Sequence, residues 1–104
     1  MKALILNFRS FAGKKENNKD KLYITFDMYD IEGKVLYNIF QDSTQISLPD
    51  GVVPSREDVE KNFPMMADLE TRISQSAGQN GRPQFRFYVD KIKSWKPAEL
   101  RKLV

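Results

Sequence analysis

Four tyrosines and a scatter of cations are the residues of this chain with chemistry to offer. Tyr23, Tyr29, Tyr37 and Tyr88 fall at outward-facing phases of extended segments, while most phenylalanines (Phe8, Phe26, Phe40, Phe85, Phe87) fall on the expected core phase. Arg9 and Arg86 share the outward phase, and Arg86 stands two residues from Tyr88, so both occupy one face of a strand. A flat ring beside a guanidinium can stack on a base while the cation meets a phosphate. The structural alternative is tyrosine packing across a sheet surface, with Arg86 in a cross-strand ion pair, for instance with Asp27.

Catalysis has little to work with. The chain has no histidine and no cysteine, which removes the commonest general base, the commonest metal ligand and all thiolate chemistry. Asp27, Asp30, Asp42 and Asp50 lie near strand ends at spacings that match no metal cage, and read as turn formers and solvated charges. Gly78-Gln79-Asn80-Gly81 lacks the Lys-Ser/Thr of a phosphate-cradling loop. No enzyme activity, cofactor or metal is expected.

Charge points the same way as the aromatic set. The net charge is +3, but residues 82–104 hold seven basic and two acidic residues, leaving ten basic and twelve acidic for residues 1–81. A positive end on a nearly neutral body is the footprint of a polyanion binder. Lys14, Lys15 and Lys19 add a basic loop; Arg82 lies in the Gly-rich loop; Lys91 and Lys93 flank Ile92. The expected contacts with phosphate are Arg9, Lys14, Lys15, Lys19, Arg82, Arg86, Lys91 and Lys93. The expected stacking platforms are Tyr23, Tyr29, Tyr37 and Tyr88.

These side chains need a scaffold, and 104 residues suffice for one domain with a modest core. Ala3–Phe11 reads as a strand, with Leu4, Leu6 and Phe8 on one face and Ile5, Asn7 and Arg9 on the other. Lys21–Asp30 alternates most clearly: Leu22, Ile24, Phe26 and Met28 inward, Tyr23, Thr25, Asp27 and Tyr29 outward. Asp30–Lys34 is a tight turn with Gly33 suited to positive φ. Val35–Gln41 follows, with Leu36 and Phe40 on one side and Tyr37 on the other. Gln45–Leu48 continues as a bent edge, Pro49-Asp50-Gly51 turns, and Ser55 with Asp58 caps a helix over Ser55–Asn62 that Pro64 limits. Met65–Ser76 fits both a strand (Ala67, Leu69, Thr71, Ile73) and a helix (Met65, Met66, Leu69, Ile73). Strand is preferred because the Gly78–Gly81 turn leads into the evident strand Gln84–Ile92, and a hairpin needs both arms. Trp95 either caps the core, the preferred reading, or stacks on a base; Pro97–Val104 forms a helical turn or a contact between copies.

Three strands, a helix and a hairpin are the order of an all-β, five-stranded Greek-key barrel of the OB type, with its helix between strands three and four. The two expected loops flank the face with which such barrels hold oligonucleotides. On Lys21–Tyr29, the helix after Pro54, the Gly78–Gly81 hairpin and Arg82–Asp90, the chain resembles the small single-stranded DNA-binding proteins of phages and conjugative plasmids. The resemblance implies sequence-independent coating of single-stranded DNA in replication or transfer, often by a homodimer. It covers layout and no specific motif. Cellular bacterial proteins of that kind end in an acidic tip; this chain ends Arg101-Lys102-Leu103-Val104. RNA is the alternative strand. A protein-interaction module, such as a phage-encoded inhibitor of a host protein, is the alternative class, since Tyr and Arg also dominate protein hot spots. No apolar run reaches the ~20 residues that cross a bilayer, and the N-terminal segment has no cleavage site, so no membrane partner and a cytoplasmic address are expected.

Overall fold

The alternating segment becomes an inner strand of the sheet, one arm of the first hairpin. The computed structural model describes residues 1–13, 21–78 and 80–98. Strand β2 spans Leu22–Asp30, and Ile24, Phe26 and Met28 are buried as their phase demands. The turn after it is organised by Asp30, whose Oδ1 accepts the backbone N–H groups of Glu32 (3.2 Å) and Gly33 (3.1 Å). Positive φ falls on Lys34 (56°), not on Gly33. A Cβ at position 33 would lie 2.6 Å from Asp30 Oδ2, so a larger residue there would have to displace the Asp30 carboxylate that organises the turn.

Strand β3 spans Val35–Asp42 and pairs antiparallel with β2, Asp30 opposite Val35 and Tyr29 opposite Leu36. Opposite residues share a face. Leu36 and Phe40 therefore stand on the outer face with Tyr29 and Thr25, 61% and 58% exposed, and Ile39 and Gln41 point inward. This reverses the phase expected for β3. The turn sets register, and register outweighs the side-chain pattern of an eight-residue strand.

Strand β1 (Lys2–Ala12) shows a second departure. Its register against β2 slips between Leu6 and Arg9, where Asn7 takes φ 52°. The bulge flips the phase, so Ala3 and Ile5 are buried before it and Phe8 after it. Unbroken alternation, with Leu4 and Leu6 inward, does not hold: both are half-buried.

Helix α1 (Arg56–Asn62) carries the expected capping box: Ser55 Oγ accepts from Asp58 N (3.2 Å), and Ser55 N donates to Asp58 Oδ2 (3.3 Å). Strands β4 (Met65–Ala77) and β5 (Pro83–Pro97) form the last hairpin. The strand reading of residues 65–76 holds, because pairing along β5 satisfies the backbone that a helix would have satisfied internally. Two register shifts in this pair re-phase β5 so that Val89 and Ile92 are both buried.

Among the described residues, five strands make one open antiparallel sheet, ordered β3-β2-β1-β4-β5, with one short α-helix. Its two outer strands approach each other without a backbone ladder among the described residues. Buried Gln41 takes a ladder's place: its Nε2 donates to Val89 O (2.9 Å) and its Oε1 accepts from Val89 N (2.8 Å). Past β3, after a 3-10 turn at Ser43–Gln45, Ser47 adds a short parallel bridge, with Ser47 N donating to Asp90 O and Ile92 N to Ser47 O. Pro49–Gly51 turns as expected, with Asp50 and Gly51 at positive φ. The core lies inside this curved sheet, and Phe8 meets Phe26, Phe63 and Trp95 at ring separations of 5.6, 5.5 and 5.8 Å. Trp95 is thus a core cap. No described helix is long and apolar enough to cross a membrane.

Candidate nucleic-acid interface

The outer face of the β1–β3 sheet is where the aromatic side chains collect. Tyr23 on β2 stacks on Phe40 of β3 (5.5 Å, 19°), and Phe11 of β1 closes a triangle at 6.0 Å to Tyr23 and 5.7 Å to Phe40. Phe11 is 38% exposed. Three neighbouring strands supply one ring each, so the cluster exists only because the sheet does. It adjoins an open groove of about 560 Å³ between the facing edges of β3 and β5. The groove gathers Tyr23, Tyr37, Phe40, Arg86, Phe87 and Tyr88.

Four predicted site residues thus meet at one groove: Tyr23, Tyr37, Arg86 and Tyr88. Tyr37 arrives from the unexpected side. It is half-buried against the core and stacks on Phe87 at 4.4 Å and 12°. Its ring joins β3 to β5 next to the Gln41 bridge. Tyr88 carries Arg72 over its ring at 4.4 Å, and Arg72 is anchored to Asp90 by a 2.7 Å hydrogen bond. Arg86 is exposed and makes no ion pair among the described residues. The bridge to Asp27 entertained for it does not form.

The remaining predicted residues are dispersed. Tyr29 sits at the far end of β2 between Leu4 and Leu36, six residues and about 20 Å along the strand from Tyr23. Arg9 lies beyond the β1 bulge in a separate pocket that includes Asp27. Arg82 is exposed at the entry to β5. Lys91 lies against Ser47, and Lys93 pairs with Glu70 at 3.5 Å, so these two sit past the groove. Lys14, Lys15 and Lys19 lie outside the described residues, as does the chain from residue 99 onward.

The sorting of phenylalanine inward and tyrosine outward fails as a rule. Phe8 and Phe26 are buried, but Phe40 and Phe85 are exposed (58% and 66%) and Phe87 is half-buried. Phe11 and Phe40 are the residues that sequence reasoning missed. Phe11 shares odd phase with Arg9, which was already placed outward. Phe40 follows from the hairpin register: with Tyr29 opposite Leu36, Phe40 must stand opposite outward Thr25.

Two carboxylates mark the outer face: Asp27, and Asp42, which stands opposite Tyr23 and lines the groove. Asp27 Oδ1 accepts from Asn38 Nδ2 and Oδ2 from Asn7 Nδ2, both at 2.9 Å. The amides of Asn38 and Asn7, with nearby Arg9, hold this carboxyl below the usual aspartate range against the opposing effect of burial. Asp42 is held down as well, first by the backbone N–H of Thr44, then by the Thr44 hydroxyl and Lys21. Among the described residues no three acidic side chains gather as a metal cage. The arrangement can stack planar rings on the Phe11–Tyr23–Phe40 cluster and place an anion at Arg86. Comparison with protein-family models, with curated proteins and with solved structures gives no match.

Proposed function

We propose that this protein is a non-catalytic, single-stranded DNA-binding protein of the small phage or plasmid kind, built as an OB-like barrel. The observation that carries the reading is the solvent-facing Phe11–Tyr23–Phe40 cluster, set beside a groove that Arg86 lines. Exposed rings on neighbouring strands are what a row of bases stacks on, and stacking tolerates any base. The strand order β3-β2-β1-β4-β5, with Gln41 and Ser47 joining the outer strands, supports the barrel side of the reading. A cytoplasmic homodimer that protects or organises single-stranded DNA is part of the same proposal.

Anisotropy of a dye-labelled oligo(dT), titrated at two salt concentrations, tests it. Binding should be measurable at low salt and weaken steeply as salt is added, through counterion release. Absence of binding at low salt overturns the reading. Competition with RNA of the same sequence separates a DNA binder from an RNA binder, because only RNA offers the 2′-hydroxyl.

A protein-docking module is the second reading, favoured by Ile73 and Phe85. Both are about two-thirds exposed (67% and 66%) on the β4–β5 hairpin, where Ile73 pairs with Phe87 and Gln75 with Phe85. Large apolar side chains left in water mark docking surfaces when they cluster. Such binding would resist salt, which separates it from the first.

A further inference from the structure

One edge of β4 stands open along its distal half. Leu69 ends the pairing on that edge: its N–H donates to Met1 O, and its C=O accepts from the Met1 ammonium. Backbone groups alternate in direction along a strand, so Thr71, Ile73 and Gln75 aim theirs at the same edge as Leu69. Among the described residues no strand meets that edge beyond Leu69, and β5 occupies the other one. A row of unpaired N–H and C=O groups is a template for another strand, which proteins blunt with lysine, proline or a bulge. Thr71–Ala77 contains no lysine and no proline, and both register shifts of the hairpin add their extra residue to β5. The single charge of the segment, Arg72, is taken by Asp90 at 2.7 Å. A two-stranded ribbon is marginal by itself and gains stability from further strands.

The strand that fits this edge is the same edge of a second copy. Turned antiparallel about a two-fold axis at Ile73, it sets Ile73 against its own copy and Thr71 against the partner's Gln75. Ile73 pairs with Phe87 within each hairpin, and opposite residues share a face. One face of the seam therefore reads Phe87, Ile73, the partner's Ile73, the partner's Phe87. This row takes Ile73, 67% exposed in the single chain, out of water. The other face follows from the pairs Ser74–Arg86 and Arg72–Tyr88. It reads Arg86, Ser74, the partner's Arg72, the partner's Tyr88. No like charges stand opposite each other in this register. An axis at Arg72 would set two guanidinium groups face to face, which costs stability.

We propose that two copies of this chain pair β4 to β4 along Thr71–Gln75 and so join their hairpins into one four-stranded sheet. The partner's Arg72 then extends the cationic and aromatic surface that Arg86 and Tyr88 begin at the groove. The proposal rests on the homodimer in the reading above and names the surface that makes it.

Light scattering and single thiols on the full chain test it. The wild type should show twice the mass of one chain, and Ile73→Lys should show the mass of one, because it sets two ammonium groups at the axis. The chain has no cysteine, so an introduced thiol reports on its own copy alone. Ile73→Cys should cross-link under copper phenanthroline, since directly paired residues stand about 5.5 Å apart, within reach of a disulfide. Gln75→Cys should not, because its copy lies four residues along the seam, about 13 Å further. These two thiols decide the matter alone if Ile73→Lys proves unfolded by circular dichroism. A monomeric wild type overturns the seam and the homodimer together. A dimer that survives in folded Ile73→Lys, fails to cross-link at position 73 or cross-links as readily at position 75 overturns the seam and leaves the homodimer standing. A dimer that cross-links at position 73 alone yet binds no oligo(dT) upholds the seam and overturns the single-strand reading.

Discussion

Tyr23, Phe11 and Phe40 form a triangle of rings in which each has one partner on each neighbouring side chain. On the proposed function, Tyr23→Ala and Phe40→Ala should each weaken oligo(dT) binding by ~1–3 kcal/mol, the value of one base stack. Tyr23→Phe should retain affinity, because stacking uses the ring and not the hydroxyl. Stability should fall far less, since cross-strand pairs on an open face contribute ~0.2–1 kcal/mol. Titration beside thermal melts checks both statements, and Ala variants that bind like wild type would remove the cluster from the interface. Asp27 and Asp42 yield a prediction in pH. Both carboxyls are lowered from the ordinary aspartate value of 3.8, so the charged forms stabilise the fold. That contribution is complete above 3.8 and is lost as pH falls through the depressed values. Urea midpoints measured from neutral pH into this acid range should drop more steeply for wild type than for the double variant Asp27→Asn with Asp42→Asn. Parallel curves would show that neither aspartate is linked to folding.

The elements carry two points of tension. Asn7 occupies the left-handed region on β1, a conformation that asparagine tolerates and β-branched residues avoid. Asn7→Val should destabilise by ~1–3 kcal/mol and should free Asp27 of one partner. A urea titration with no change would mean that the strand straightens at little cost. Gln41 is the second. It is 3% exposed and both ends of its amide are engaged by Val89. Gln41→Leu keeps the volume but strands a buried N–H and C=O, which should cost ~1–3 kcal/mol for each group left unpaired. It should also loosen the junction of β3 with β5 beside the Tyr37–Phe87 stack, so oligo(dT) binding should weaken in parallel. Hydrogen exchange at the Val89 amide gives a direct readout: faster exchange is expected, and unchanged protection would show that Gln41 is dispensable to the junction.

At the scale of the molecule, the cations among the described residues do not form one continuous stripe. Arg86 faces the groove, Arg9 faces the pocket that includes Asp27, and Lys93 is engaged by Glu70. Phosphate contacts should therefore be few and separable. Arg86→Ala should reduce the slope of log affinity against log salt by about one, and Lys93→Ala should change it less, since Glu70 already takes part of that charge. Slopes measured over a salt series decide this; an unchanged slope for Arg86→Ala would mean that a bound strand passes elsewhere.

What the chain's pattern made legible was whatever depends on neighbours in sequence. β2 announced itself by strict alternation, α1 by Ser55, Asp58 and Pro64, and the last hairpin by its Gly-rich turn. The outward placement of Tyr23, Arg86 and Tyr88 followed from local phase alone. The inward face of β3 did not follow, because apolar and aromatic residues lie on both sides of Val35–Asp42 and only pairing with β2 chooses between them. The β1 bulge was equally silent, since an inserted residue shifts phase without any marker stronger than an asparagine. The aromatic triangle and the Gln41–Val89 bridge join residues up to 48 apart in the chain. No periodicity encodes such meetings. They arise when strands at both ends of the sheet are brought edge to edge, and that is decided by register, twist and the burial of a shared core.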